Sequence, residues 1–224
     1  MKKILVLGSF LFLFSTAAVR GQAALLVLIF GEKVATENFY FSLKVGVNYS
    51  MITNHTEGNN RIGANFGLVN NIRLSDQWYL MPEFLPLSPR GLRNIPVLTT
   101  GIPDLDSILA YPESTDRKLS YLDIPILFQY RITDRWHAAL GPQFSFLTGA
   151  VDAYEAKPLE DVNVSTEIDI SEPFRAWDVG FAVDLTYVVS PPKGGKGMNL
   201  FIRYSRGFLD LMKDDANNKY YNSL

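Results

Sequence analysis

The chain has 224 residues, 47% of them hydrophobic and 13% aromatic, with no cysteine and a formal charge of −2. That apolar content against 20% charged residues excludes a disordered chain, the missing cysteines exclude a disulfide framework or a thiolate metal site, and the near-zero charge leaves no nucleic-acid footprint. Mean hydropathy is +0.05, yet past the N-terminus no stretch reaches the ~20 consecutive apolar residues of a membrane helix, so the apolar residues must be dispersed.

Lys2 and Lys3 precede an apolar stretch from Ile4 to Val19, and the small residues Gly21 and Ala23 offer cleavage sites, which is the plan of a secretory signal peptide over residues 1–23. An uncleaved anchor that also used Ala24–Phe30 would place the remainder outside the cytoplasm too. Residues 24–38 then form an N-terminal segment, and 39–224 a single domain undivided by internal repeat, low-complexity tract or linker.

From Phe39 onward the signal is period two. Between Phe39 and Ser50 the odd positions are Phe41, Leu43, Val45, Val47 and Tyr49, and the even ones Ser42, Lys44, Gly46, Asn48 and Ser50. The pattern returns from Arg61 to Leu74, broken only at Asn70, and more weakly from Gln77 to Leu87. It is clear again over Leu119–Ile132, Trp136–Gly149, Phe174–Val189 and Met198–Phe208. These are seven expected strands of about 10 to 16 residues, longer than those of globular sheets and near the length that crosses a bilayer at a tilt.

The connections alternate in length. Ser75-Asp76, Thr133-Asp134 and Ser190–Gly197 make short turns, whereas Met51–Asn60, Ser88–Lys118, Ala150–Pro173 and the segment after Phe208 are expected to be long loops. This describes an up-and-down antiparallel barrel with short periplasmic turns and longer extracellular loops. A soluble lipocalin-like barrel would turn the apolar face inward around a lipid, but a lumen of about eight strands cannot hold the Trp, Phe, Tyr, Leu and Ile of every strand. The opposite face fits. Its Lys44, Arg73, Arg131 and Arg203 balance Glu83, Asp123, Asp178 and Asp184, so a charge network within the lumen is expected. Trp78, Tyr130, Trp136 and Tyr187 lie near the short turns as a periplasmic aromatic girdle, with Tyr49, Tyr121 and Trp177 near the loop ends.

The segments Leu43–Ser50, Pro82-Glu83-Phe84, Tyr121–Tyr130, Leu140-Gly141-Pro142, Asp178-Val179-Gly180 and Arg203–Gly207 resemble, in order and spacing, the Bacteroidetes outer-membrane β-barrel family of porin-like or PorT-type proteins. Their most specific element is the Tyr121-Leu122-Asp123-Ile124-Pro125 strand followed by Gly141-Pro142 in the next. The resemblance implies a small eight-stranded barrel in the bacterial outer membrane, with no shared catalytic residues. Such barrels close with a final strand ending in an aromatic residue. Tyr220–Leu224 offers at most its beginning, so the eighth strand is expected to be short or missing, unless Ala24–Phe30 closes the sheet.

Chemistry-bearing residues are sparse. His55 falls in a loop, and His137 faces the lumen at the turn end, where no nucleophile or orienting group accompanies it. Asp152, Glu155, Glu160, Asp161, Glu167, Asp169 and Glu172 lack EF-hand spacing and read as a solvated acidic loop, within which Val162/Val164 and Ile168/Ile170 alternate as in a hairpin. Asp106-Ser107-Ile108 resembles a short Bacteroidetes O-glycosylation motif. No metal, cofactor or catalytic residue is expected. The leading expectation is a non-enzymatic structural, adhesion or assembly-partner protein, surrounded by outer-membrane lipid and lipopolysaccharide and meeting an envelope protein through loops 88–118 and 150–173. The alternative of another class is an outer-leaflet barrel enzyme acting on lipid or peptide.

Overall fold

A computed structural model describes residues 38–53, 58–95, 112–159, 162–193 and 196–213. The signal region, Ala24–Phe30, His55, Asp106-Ser107-Ile108 and Tyr220–Leu224 lie outside the described residues. Among those described there is no helix. Eight strands run β1 Phe39–Ser50, β2 Asn59–Arg73, β3 Trp78–Ile95, β4 Pro112–Arg131, β5 Trp136–Leu159, β6 Val162–Asp169, β7 Trp177–Lys193 and β8 Lys196–Gly207.

All ladders are antiparallel, and the sheet order is β1-β2-β3-β4-β5-β7-β8, with β6 paired to β5 alone. The β5–β6 ladder ends at Val151↔Asp169 and the β5–β7 ladder begins at Phe146↔Trp177, so β6 and β7 are two parts of one wall position interrupted at 170–176. The wall therefore has seven positions. β1 and β8, its two edges, run in the same direction, and among the described residues each is paired on one side only.

The alternation selects the faces. Val45, Val47, Ile62, Phe66, Phe84, Phe128, Leu140, Phe144, Val183, Leu185, Leu200 and Ile202 point outward and are exposed, whereas Lys44, Glu83, Asp123, Ser145 and Asp184 are buried on the concave side. This is the reverse of a lipocalin. Val47 and Ile202, on the two edge strands, reach 76% exposure, which water would not tolerate across a whole surface and lipid would.

Two loop expectations are corrected. The two ends of Ser88–Lys118 are wall, since β3 continues to Ile95 and β4 starts at Pro112. The cause is a register shift between Leu85 and Ser88: Pro86 and Leu87 both face outward, parity resets, and Ser88, Arg90 and Leu92 continue the inner face. Ala150–Pro173 is mostly a hairpin formed by the end of β5 and by β6, the form its alternating valines and isoleucines suggested.

An internal repeat, not expected from the sequence, sits in two of the turns. Arg73-Leu74-Ser75-Asp76-Gln77-Trp78 and Arg131-Ile132-Thr133-Asp134-Arg135-Trp136 share one pattern and one set of bonds. Leu74 N and Ser75 N donate to Trp78 O at 2.9 and 3.1 Å, as Ile132 N and Thr133 N do to Trp136 O at 3.0 and 3.1 Å. The Ser75 and Thr133 hydroxyls each accept the N–H groups two and three residues on.

Candidate functional site

The concave face carries two apolar clusters. On the turn-side half are Val69, Met81, Leu127, Ala139 and Ala182, with Tyr79 against them. At the loop end lies a second one, of Ile52, Leu92, Ile95, Leu119, Tyr121, Ala150, Phe174 and Leu211. Charged groups share this face with them: Glu83 is in register with Val69 and Asp184 with Ala139.

Four of the predicted network residues form one ring. Lys44 Nζ donates to Glu83 Oε1 at 3.1 Å and to Asp184 Oδ2 at 3.0 Å. Arg203 grips the same two carboxylates in bidentate fashion, donating to Asp184 at 2.5 and 2.6 Å and to Glu83 at 2.8 Å twice. Two positive and two negative groups thus satisfy each other with charge-assisted bonds, and the Glu83 side chain is completely buried. The ring joins β1 and β8, the two edges, to β3 and β7, and Lys44 also lies 4.1 Å from the Phe201 ring centroid.

Asp123 belongs to a second group. Arg90 Nη2 donates to its two oxygens at 2.7 and 2.9 Å and to Ser145 Oγ at 3.0 Å, while Ser88 Oγ donates to Asp123 at 2.5 Å. Arg90 is stacked 4.4 Å from the Tyr121 ring centroid. Tyr121 is therefore an interior residue and not a girdle residue, because its odd position in β4 faces the lumen with Asp123. Sequence reasoning missed Arg90 because the stretch beyond Leu87 reads as loop; the alternation Ser88, Arg90, Leu92 is the signal that identifies it once the bulge is placed. It likewise missed the Arg117–Asp152 pair, at 2.8 and 2.7 Å, above this group.

The other expected network members stand apart. Arg73 and Arg131 are at the turn-side rim, drawn to Asp76 at 2.6 Å and Asp134 at 3.8 Å, because an acid three residues on in the same turn is nearer than any lumen carboxylate. Asp178 accepts the Leu209 N–H at 3.0 Å and thereby holds the chain leaving β8. That chain and the 170–176 interruption lie antiparallel across the loop end: Arg175 N donates to Leu211 O at 2.7 Å and Lys213 N to Pro173 O at 2.9 Å, carrying Phe174 and Leu211 inward. His137 sits beside Arg131 in register, and its Nε2 finds no hydrogen-bond partner among the described residues.

The four girdle residues form two touching pairs on the outer face. Trp78 and Tyr130 have ring centroids 4.9 Å apart, as do Trp136 and Tyr187, and Arg135 Nη1 donates to the Tyr187 hydroxyl at 2.9 Å. In the acidic hairpin, Asp152 is taken by Arg117, Glu167 accepts from Lys118 at 2.6 Å, and Asp169 accepts the Ser171 N–H at 2.8 Å. That backbone N–H holds the Asp169 carboxyl below its ordinary range.

A curled antiparallel sheet with an apolar outer belt, aromatic pairs at its turn-side margin and ionic groups on its concave face defines an outer-membrane β-barrel. The chain belongs to the outer membrane protein β-barrel domain family, which it matches over residues 32–213, and its place is the outer membrane. No curated protein and no solved structure matches the chain.

Proposed function

We propose that the protein is a small barrel of the porin-like, PorT-type group of Bacteroidetes, exported by its N-terminal signal peptide, with a lumen plugged by its own side chains. It acts without enzymatic activity, as a structural, adhesion or assembly-partner protein, set in lipid and lipopolysaccharide and meeting an envelope protein through the segments 88–118 and 150–173. The observation that carries this reading is the Lys44–Glu83–Asp184–Arg203 ring, which spans the concave face from one edge strand to the other. The two apolar clusters on the same concave face support the same reading, because a conducting lumen would leave such groups to water and gain nothing from closing bidentate contacts.

Two experiments test it. Reconstituted in a planar bilayer, the protein gives no steady open-channel current, and a sustained ohmic current would overturn the plugged lumen. In cells, a chain whose 150–173 and 88–118 tips are cut to Gly-Gly turns folds into the outer membrane but behaves as the deletion strain does; full retention of the wild-type phenotype would overturn the loop-borne role.

A further inference from the structure

We propose that β6 is a docking edge for an extended, basic strand of a partner protein, which adds to the sheet above the membrane. The proposal rests on the loop-side partner role above and names the chemistry of that partner.

The hairpin of β5 and β6 carries the wall beyond the apolar belt, and there β6 pairs with β5 alone among the described residues. Among the described residues its other edge is a row of backbone donors and acceptors without a ladder, the arrangement that accepts a further strand. The sequence Val162–Asp169 contains neither proline nor lysine, the residues that most often blunt such an edge. Its two side-chain faces differ. Thr166 and Ile168 stand opposite Tyr154 and Asp152 on the inner face and are half-buried, whereas Ser165, Glu167 and Asp169 are exposed on the outer one. Seven acids lie between Ala150 and Pro173 against Lys157 within that stretch and Arg117 and Lys118 of β4, which take Asp152 and Glu167, so the acids stay in excess along the edge.

Cross-strand pairing then dictates the partner. A residue laid beside Thr166 or Ile168 must be β-branched or apolar, one beside Asp169 must be a lysine or arginine, and one beside Glu167 shares that carboxylate with Lys118 as a second cation. The matching strand alternates the two. A second copy of this chain does not fit, because its own β6 would bring Glu167 and Asp169 against the same acids.

The test uses the full chain in phosphatidylcholine nanodiscs, free of anionic lipid, and two synthetic probes of equal charge: alternating (Lys-Thr)5, which forms a strand, and (Lys-Pro)5, which cannot. Fluorescence anisotropy is expected to show (Lys-Thr)5 binding about tenfold more tightly than (Lys-Pro)5, and E167K/D169K is expected to lose that difference while keeping heat-modifiable migration. Equal binding of both probes, lost when residues 153–166 are replaced by Gly-Gly, would overturn strand addition and leave a loop-borne partner role intact. Absence of binding by either probe, or an unchanged preference in E167K/D169K, would also overturn the docking edge, while the partner role stands or falls by the phenotype of the shortened tips.

Discussion

At the scale of residues, the structure places its charges where removing one is costlier than never having had any. Glu83 serves both Lys44 and Arg203 without access to water, so Glu83→Ala leaves two cations facing Asp184 alone. The expected cost is about 3–5 kcal/mol in urea unfolding from lipid vesicles, whereas replacing all four ring members by apolar residues of similar volume should cost less than that single change. A Glu83→Ala cost below about 1 kcal/mol would contradict a closed buried ring. Asp123→Ala should likewise lower the unfolding temperature in micelles, because it strands Arg90 beneath Tyr121; D123L/R90M should recover part of the loss. Which residues face inward was legible in the sequence, since parity alone puts Lys44, Glu83, Asp123, Asp184 and Arg203 on one side. Who pairs with whom was not. Pairing depends on which strands the curl brings together, and Arg73 and Arg131 show that a local acid in a turn outcompetes a distant one of the right parity.

At the scale of elements, turns and bulges set the register that parity then reads out. Thr133 Oγ1 accepts the Arg135 and Trp136 N–H groups, so Thr133→Ala should cost about 1 kcal/mol, and Ser75→Ala a similar amount, measured by the same unfolding. The two turns are legible as turns from their Ser-Asp and Thr-Asp pairs. Their identity as one motif emerges only when the flanking Arg and Trp are aligned with them. Gly91 is less forgiving: its φ is +137°, and a Cβ there would fall on the Arg117 carbonyl oxygen of β4. Gly91→Ala should therefore cost more than about 2 kcal/mol, and wild-type stability in that variant would mean that β3 does not pass β4 as closely as described. The same stretch explains why the sequence ends β3 too early. Two outward residues in succession, Pro86 and Leu87, break the alternation that identifies a strand, although the ladder to β4 continues to Ile95.

At the scale of the whole molecule, the large apolar side chains of the described strands form an outer coat more than a core. Seven wall positions, their order and their outward apolar face follow from period-two patterning and alternating connection lengths, because both are local properties of the chain. The hairpin above the membrane, the inward fold of 170–176 and the ionic ring that bridges the β1 and β8 edges are products of the three-dimensional curl and leave only faint traces in sequence. The central claim is that the apolar face meets lipid, and the three native tryptophans report on it directly. Trp78, Trp136 and Trp177 all stand exposed on the outer face, the first two beside the short turns and the third at the loop end. In vesicles of brominated phosphatidylcholine, their fluorescence is predicted to be quenched, most strongly by bromines near the headgroup and less by bromines near the chain ends. Fluorescence unaffected by bromine at either depth, with the protein remaining in solution without detergent, would contradict the account.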